Sequence, residues 1–147
     1  MIRRARPADR AALVALMEES NGYEAPAARA MIAAFVARWT FGESDEVWLD
    51  EADGAVMGFH QLIPRDGPVW ELDLFFTANA AQGRGVGRRL FEHMAQRARA
   101  LGATAVVISS NPEAADFYRR MGAVDVGVSP PVDEITWERP KLRLDLA

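Results

Sequence analysis

The strongest constraint in this chain is the run Leu72–Leu90, LDLFFTANAAQGRGVGRRL. An extended apolar run closes on Phe75-Phe76, Ala78-Asn79-Ala80-Ala81 breaks it, and glycines at 83, 85 and 87 precede a helical pattern. A strand, a glycine loop and a helix start in this order build an anion site. Glycine lets backbone come close to a ligand, and the first N–H groups of a helix have no partner inside it. The helix dipole adds positive potential at the same end, so a phosphate or pyrophosphate is favoured there. Arg84, Arg88 and Arg89 add cationic side chains. Two nucleotide-binding loops do not fit. A Walker loop needs Gly-Lys followed by Ser or Thr, and no such triplet follows Gly85 or Gly87. A dinucleotide fingerprint needs its third glycine three residues after the second and an acid at the end of the next strand. Here the spacing is one short, and the next strand ends in Ser109-Ser110-Asn111.

The rest of the chain must supply a body for this loop. Its 147 residues suit one domain, 1–147, with a core of its own. A net charge of -4 and a pI of about 5.2 argue against a nucleic-acid partner, whose binding domains are normally basic. The absence of cysteine excludes disulfides, thiolate catalysis and zinc–thiolate sites. His60 and His93 lack metal-ligand spacing, so no metal is expected. Met1–Pro7 is basic without the apolar run of a signal peptide, and no stretch approaches a membrane span. The expectation is a cytoplasmic protein without a membrane partner.

Periodicity and turn residues give the element order. A strand over 1–6 precedes a helix from Pro7 to about Ser20, with Leu13, Leu16 and Met17 inward. A second helix starts at Pro26 and buries Met31, Ile32, Phe35, Val36 and Trp39. Strands over 46–50 and 55–62 are joined at Asp53-Gly54, a hairpin signal, and a third strand covers 69–77. Helices over 85–101 and 112–120 are stopped by Gly102 and Gly122. Strands follow them at 104–109 and 123–128, an exposed loop spans 128–139, and 141–146 forms a last strand. This is an α/β plan with a mixed sheet. Within 69–77, alternation puts Trp70, Leu72, Leu74 and Phe76 on one face, and Val69, Glu71, Asp73, Phe75 and Thr77 on the other.

The spacing of Gln82, Gly85 and Gly87 resembles the acetyl-CoA signature of the GNAT N-acetyltransferase superfamily. A second segment, NPEAADFYRRMG at 111–122, resembles another GNAT pattern through Asn111, Ala114, Phe117, Tyr118 and Gly122. The element order is also similar, so the resemblance covers nearly the whole chain. It implies a GNAT-like three-layer fold with a central mixed, mostly antiparallel sheet flanked by helices. It implies acetyl-CoA as co-substrate and acetyl transfer to a primary amine of a small molecule or protein, by direct attack on the thioester. It places CoA against Phe75, Phe76, Thr77, Gln82, Gly83, Arg84, Gly85, Val86, Gly87, Arg88, Asn111 and Tyr118. The Tyr118 hydroxyl would lie near the sulfur and protonate the leaving thiolate. Ala78-Asn79 departs from the Asp-Pro often found before this loop. The alternative is a non-catalytic acyl-CoA-binding sensor or interaction domain, and self-association as a homodimer is left open.

Transfer to an amine also needs a proton acceptor. Glu71 and Asp73 sit two residues apart on one strand face, about 7 Å from each other. A carboxylate partly desolvated beside another has a raised pKa, which suits a base. Glu71 is the first candidate and Asp73 the second; pairing with arginines or a solvated groove is the plainer reading of both. His60 is a lesser candidate, and His93, beside Glu92, Gln96 and Arg97, reads as a solvated face. The resemblance implies that the connector Asn21–Pro26, with Tyr23 and Glu24, and the loops 41–45 and 128–139 carry acceptor specificity; plain exposure is the simpler reading of the connector. Glu24, Glu43 and Asp45 would join Glu71 and Asp73 in an acidic mouth that favours cationic acceptors. Asn111 is also expected to cap the helix that follows it, with Pro112 at the first helical position.

Overall fold

A computed structural model describes residues 1–146; Ala147, the last residue of the expected 1–147 domain, lies outside them. In chain order the elements are β1 (Ile2–Arg4), α1 (Arg10–Glu19), α2 (Pro26–Arg38), β2 (Glu46–Ala52), β3 (Ala55–Ile63) and β4 (Val69–Thr77). Then come α3 (Val86–Ala100), β5 (Ala105–Ser109), α4 (Ala115–Arg120), β6 (Val124–Ser129) and β7 (Arg139–Asp145). The segment expected as one helix over 112–120 is a 3-10 turn, Pro112–Ala114, followed by the short α4. The strands form one sheet in the order β1-β2-β3-β4-β5-β7-β6. β4 and β5 run parallel, and the other neighbours pair antiparallel. Among the described residues no helix is long and apolar enough to cross a membrane.

Local chemistry accounts for the turns. Asp53 and Gly54 adopt φ values of +52° and +77°, the two left-handed residues of a type I′ hairpin. Gly102 and Gly122, at +101° and +103°, end α3 and α4 where a side chain would strain the backbone. Burial on both sheet faces then fixes the layers. α1 and α2 cover one face, where Leu13, Met17 and Ile32 pack on Val47, Leu49, Phe59, Leu74 and Phe76. α3 and α4 cover the other, where Phe91, Met94, Ala98 and Tyr118 pack on Leu62, Trp70, Leu72, Val106 and Ile108.

Those two lists correct the expected alternation of β4. Leu72 pairs with Leu62, but Leu74 pairs with Gln61, so Asp73 is an extra residue in the ladder. This β-bulge sends Trp70 and Leu72 toward α3, and Leu74 and Phe76 toward α1 and α2. Parallel pairing with β5 stops at the same place, covering only Val69–Leu72 against Ala105–Ile108. Beyond it β4 continues with β3 alone, through Phe75 against His60 and Thr77 against Gly58. β5 stays with β7 as far as Ser109 against Lys141. The sheet therefore opens into a V between β4 and β5.

Candidate active site

The V is where the two sequence motifs meet. Its larger opening is a cleft of about 710 Å³ between the glycine loop and the Asn111–Met121 segment. Gly83 and Gly85 hold φ values of +81° and +79°, the left-handed conformation that glycine adopts without strain. Gly85 is the N-cap of α3, and the helix's first bond runs from the Arg89 N–H to the Gly85 carbonyl at 3.1 Å. The N–H groups of Val86, Gly87 and Arg88 thus precede the hydrogen-bonded ladder and carry the positive end of the helix dipole. Gly87 serves differently: a Cβ there would lie 3.3 Å from the Phe117 ring, so the missing side chain leaves that aromatic its place. A backbone cradle of this kind, with no side-chain cap claiming its donors, fits the phosphates of a CoA arm.

Eleven of the twelve residues expected around CoA line this cleft. Phe75, Phe76 and Thr77 come from β4, and Asn111 and Tyr118 from the second motif. Gln82, Gly83, Gly85, Val86, Gly87 and Arg88 come from the loop and the start of α3. Arg84 does not line it, and Arg89 turns away to bond Asp50 at 3.0 Å. Arg120, which sequence reading missed, supplies a further cation at the rim, with no ion-pair partner among the described residues. Its only sequence signal is its place two residues before Gly122, inside the second motif.

Gln82 and Asn111 grip the connector between α1 and α2. Gln82 Nε2 donates to Asn21 Oδ1 at 3.2 Å, and the Asn21 N–H donates to Asn79 Oδ1 at 3.0 Å. Asn111 Nδ2 donates to the Gly22 carbonyl at 3.0 Å, so it does not cap the following turn as expected. These bonds hold the connector across the mouth of the V from both sides. They place Tyr23 with its ring 5.3 Å from that of Phe76.

On the other side of the V lies a smaller cavity of about 140 Å³. Tyr23, Phe75, Phe76, Asn111 and Tyr118 line both spaces, so the two meet at the gap in the sheet. Tyr118 is almost fully buried in an aromatic cluster with Phe75, Phe91 and Phe117. Its hydroxyl has no hydrogen-bond partner among the described residues. Burial, with the Tyr23 hydroxyl adding to it, pushes its pKa well above that of an ordinary phenol. Burial and the Glu113 charge push Tyr23 up to about 12. Both therefore stay protonated at neutral pH and can act as donors.

The carboxylates separate. Glu71 pairs with the Arg65 guanidinium and lines neither cavity. Asp73, turned out by the bulge, lines the smaller cavity and has no ion-pair partner among the described residues. The residue keeps an exposed edge, yet burial by the protein around its carboxyl and the neighbouring Glu71 charge raise its pKa, against the Arg65 and Arg139 charges, which lower it. The acidic mouth is not assembled: Glu24, Glu43 and Asp45 lie outside both cavities, and Asp45 instead accepts from the Gly42 N–H at 2.7 Å. The 41–45 loop is thus not part of the lining. The 128–139 segment is: Ile135, Trp137 and Arg139 line the smaller cavity.

The histidines also differ from expectation. His60 is completely buried, and its Nε2 lies 3.0 Å from Nδ1 of His93, which is partly buried and not on a solvated face. Neither lines a cavity, and no cluster of three metal-ligating side chains occurs among the described residues.

A model of the acetyltransferase (GNAT) family matches residues 12–123. The chain belongs to this family. Over 77 residues it is 35% identical to glucosamine 6-phosphate N-acetyltransferase 1 of Oryza sativa subsp. japonica, a match covering 52% of this chain. The match spans 47% of that protein, about half its length. Among solved structures, a GCN5-related N-acetyltransferase from Kribbella flavida is 25% identical with a TM-score of 0.73, over 99% of this chain and 97% of that one. Ribosomal-protein-alanine N-acetyltransferase from Brucella melitensis shares the fold at 22% identity and a TM-score of 0.71, over 99% of each chain. So does an acetyltransferase from Salmonella typhimurium solved with acetyl-CoA, at 22% and 0.71, over 100% of this chain and 94% of that one. The GNAT fold, with its mixed sheet between helix layers, is the one expected from the two motifs.

Proposed function

We propose that this GNAT protein is an acetyl-CoA-dependent N-acetyltransferase acting on a primary amine of a small molecule or an exposed protein group. The observation that carries the reading is the gap between β4 and β5, where a cleft suited to CoA and a smaller cavity share Tyr118. The names of the rice and Brucella relatives, an amino-sugar phosphate and a protein-alanine acetyltransferase, both point to amines as acceptors. Acetyl-CoA, when bound, supplies a thioester already activated for attack. The N–H groups of Val86, Gly87 and Arg88, with the Arg88 and Arg120 side chains, hold its phosphates. The backbone of Leu74–Thr77, unpaired on the β5 side, offers N–H groups to the thioester carbonyl. Tyr118 gives its hydroxyl proton to the leaving thiolate. Burial that raises the tyrosine pKa also raises the basicity of a thiolate beside it, so the two stay matched.

Asp73 is the proton acceptor in this reading, in preference to Glu71, because it lines the cavity and Glu71 does not. A C–N bond forms and the C–S bond breaks. The ammonium gives up two protons, one to Asp73 and on to water, the other restoring Tyr118. The unpartnered Tyr118 hydroxyl and Asp73 carboxylate favour this over a non-catalytic acyl-CoA sensor. Release of free thiol with an amine panel decides between them, and a chain without cysteine gives no background in that assay. Tyr118→Phe is expected to lower turnover roughly 10- to 1000-fold with CoA affinity nearly unchanged. Unchanged turnover would remove the acid role; CoA binding without thiol release for any amine would point to the sensor.

A further inference from the structure

The smaller cavity is lined by one carboxylate and one guanidinium, Asp73 and Arg139. They make no ion pair with each other or with any other described residue. Arg139 comes from the first position of β7, and its Nε is fully buried with no hydrogen-bond partner. The residue as a whole is only partly buried, so the terminal nitrogens of the guanidinium, which make no hydrogen bond to a described residue, are the donors that a bound anion can reach. Guanidinium groups receive carboxylates and phosphates in a planar, two-point geometry. Ser109 and Asn111 also line the cavity, and most of the remaining wall is apolar or aromatic, with Met31, Phe35, Ile135 and Trp137 among it. Its volume of about 140 Å³ is close to that of an engineered apolar cavity that takes up benzene.

We propose that the acceptor is a small zwitterion, an α-amino acid with an apolar side chain, whose ammonium faces Asp73 and whose carboxylate is received by Arg139. The side chain, of isobutyl or phenyl size, occupies the apolar part of the cavity. This rests on the reading of the smaller cavity as the acceptor's side of the junction, and the bond changes are those given above; the product keeps its carboxylate on Arg139. An amino-sugar phosphate offers the same pairing of amine and anion. Its several hydroxyl groups, however, outnumber the polar side chains that Tyr23, Ser109, Asn111 and Tyr118 bring to a mostly apolar wall, two of which are already bonded within the protein, and the desolvation of the rest opposes binding.

The test compares kcat/KM for L-leucine and L-phenylalanine with the amines that lack the carboxylate, isopentylamine and 2-phenylethylamine, and with glucosamine 6-phosphate. The wild type is expected to favour the amino acids over the matched amines by about 10-fold or more. Arg139→Gln should lower kcat/KM for the amino acids about 10- to 100-fold and affect the amines far less, only through the loss of its charge near Asp73. Removing an unpartnered guanidinium breaks no ion pair, and a thermal melt checks that the variant is folded. Equal use of amines and amino acids by the wild type, or an equal loss for both in Arg139→Gln, overturns the proposal. A preference for glucosamine 6-phosphate overturns the apolar amino acid in favour of the phosphate. If acetyl-CoA binds and no acceptor turns over, transfer itself fails. L-Phenylalanine is then titrated by calorimetry into the CoA complex: binding weakened about 10-fold or more by Arg139→Gln supports the site, and no binding overturns it.

Discussion

The buried histidine pair sets a measurable pH dependence of stability. His60 on β3 is completely buried against α3, with its Nδ1 unpartnered and its Nε2 shared with His93. The charged groups around the pair are Glu46 from β2, Arg97 from α3 and, behind Trp48, Arg4 from β1. The Arg4 and Arg97 guanidiniums lie 4.7 and 4.9 Å from the centroid of the Trp48 ring, and Glu46 accepts from both arginines. Burial first, and the neighbouring His93 second, push the His60 pKa down to about 3; Glu46 opposes this. His93 is lowered as well. In the unfolded chain histidine titrates near 6.5, so between about pH 6.5 and 3 the unfolded state binds the proton and the folded state refuses it. Stability is therefore unaffected above that window and falls as pH drops into it. One such group is worth about 1.4 kcal/mol per pH unit, or about 2 kcal/mol between pH 7.5 and pH 5. For a chain of this size that is a drop of roughly 4 to 8 °C in Tm. The carboxylates held low by arginines, Asp9 and Glu46 at about 2, lose their contribution below this range, so they do not confuse it. Calorimetric or circular-dichroism melts from pH 7.5 to 5 on wild type and His60→Leu measure it. The variant keeps the volume, removes the titrating group, and should lose about one proton's worth of slope. An equal slope in both proteins would refute the assignment to His60.

Two further predictions concern the cleft and the base. Gly87→Val crowds the Phe117 ring and should weaken CoA binding about 10-fold or more by calorimetry, in a protein that still melts cooperatively; normal affinity would show that loop geometry at this position does not matter. Asp73→Asn should cost about 100-fold or more in kcat/KM and remove the acidic limb of its pH profile, which lies above an ordinary aspartate pKa because Asp73 is raised. Glu71→Gln should keep that limb, and the reverse pattern would give the base role to Glu71.

The parts of this molecule that were legible in the sequence are those fixed by local backbone demands. Gly83, Gly85, Gly102 and Gly122 all take left-handed φ values, and Asp53-Gly54 forms the turn its dipeptide announces. Eleven cleft residues followed from two motifs for the same reason, since each motif is one strand–loop–helix unit. The rest depended on partners far away in the chain. Asn111 bonds Gly22 across 89 positions, which no local pattern encodes. His93 shares its helix face with Glu92 and Arg97, and the Trp48 ring of β2, 4.8 Å away, and the His60 ring of β3, 5.3 Å away, cover it. Ile135 and Trp137 lie in a polar, proline-bearing stretch without periodicity, and their place in the wall comes from the fold-back of that stretch. Glu71 was sorted correctly onto the face of Asp73, but Arg65 in the preceding turn reaches it and takes it out of play.

The bulge at Asp73 explains why the site exists where it does. A regular β4 would keep strict alternation, and Leu74 and Phe76 would stay with Trp70 and Leu72 on the α3 face. The α1–α2 side would then receive Phe75 in place of Leu74 and Phe76, and would lose the stacked pair Phe59–Phe76. One extra residue reverses the faces from Leu74 onward and increases the local twist. It falls immediately after Leu72, the last β4 residue paired to β5, so the reversal and the opening of the sheet coincide. Gly58 supports the outer half: a Cβ there would lie 2.7 Å from the Phe76 carbonyl and 2.6 Å from the Leu90 side chain. β4 thus stays on β3 and α3 while it parts from β5. The same slip coincides with the gap where the two cavities meet, and Asp73 lines the smaller one beside the aromatic residues that the two spaces share.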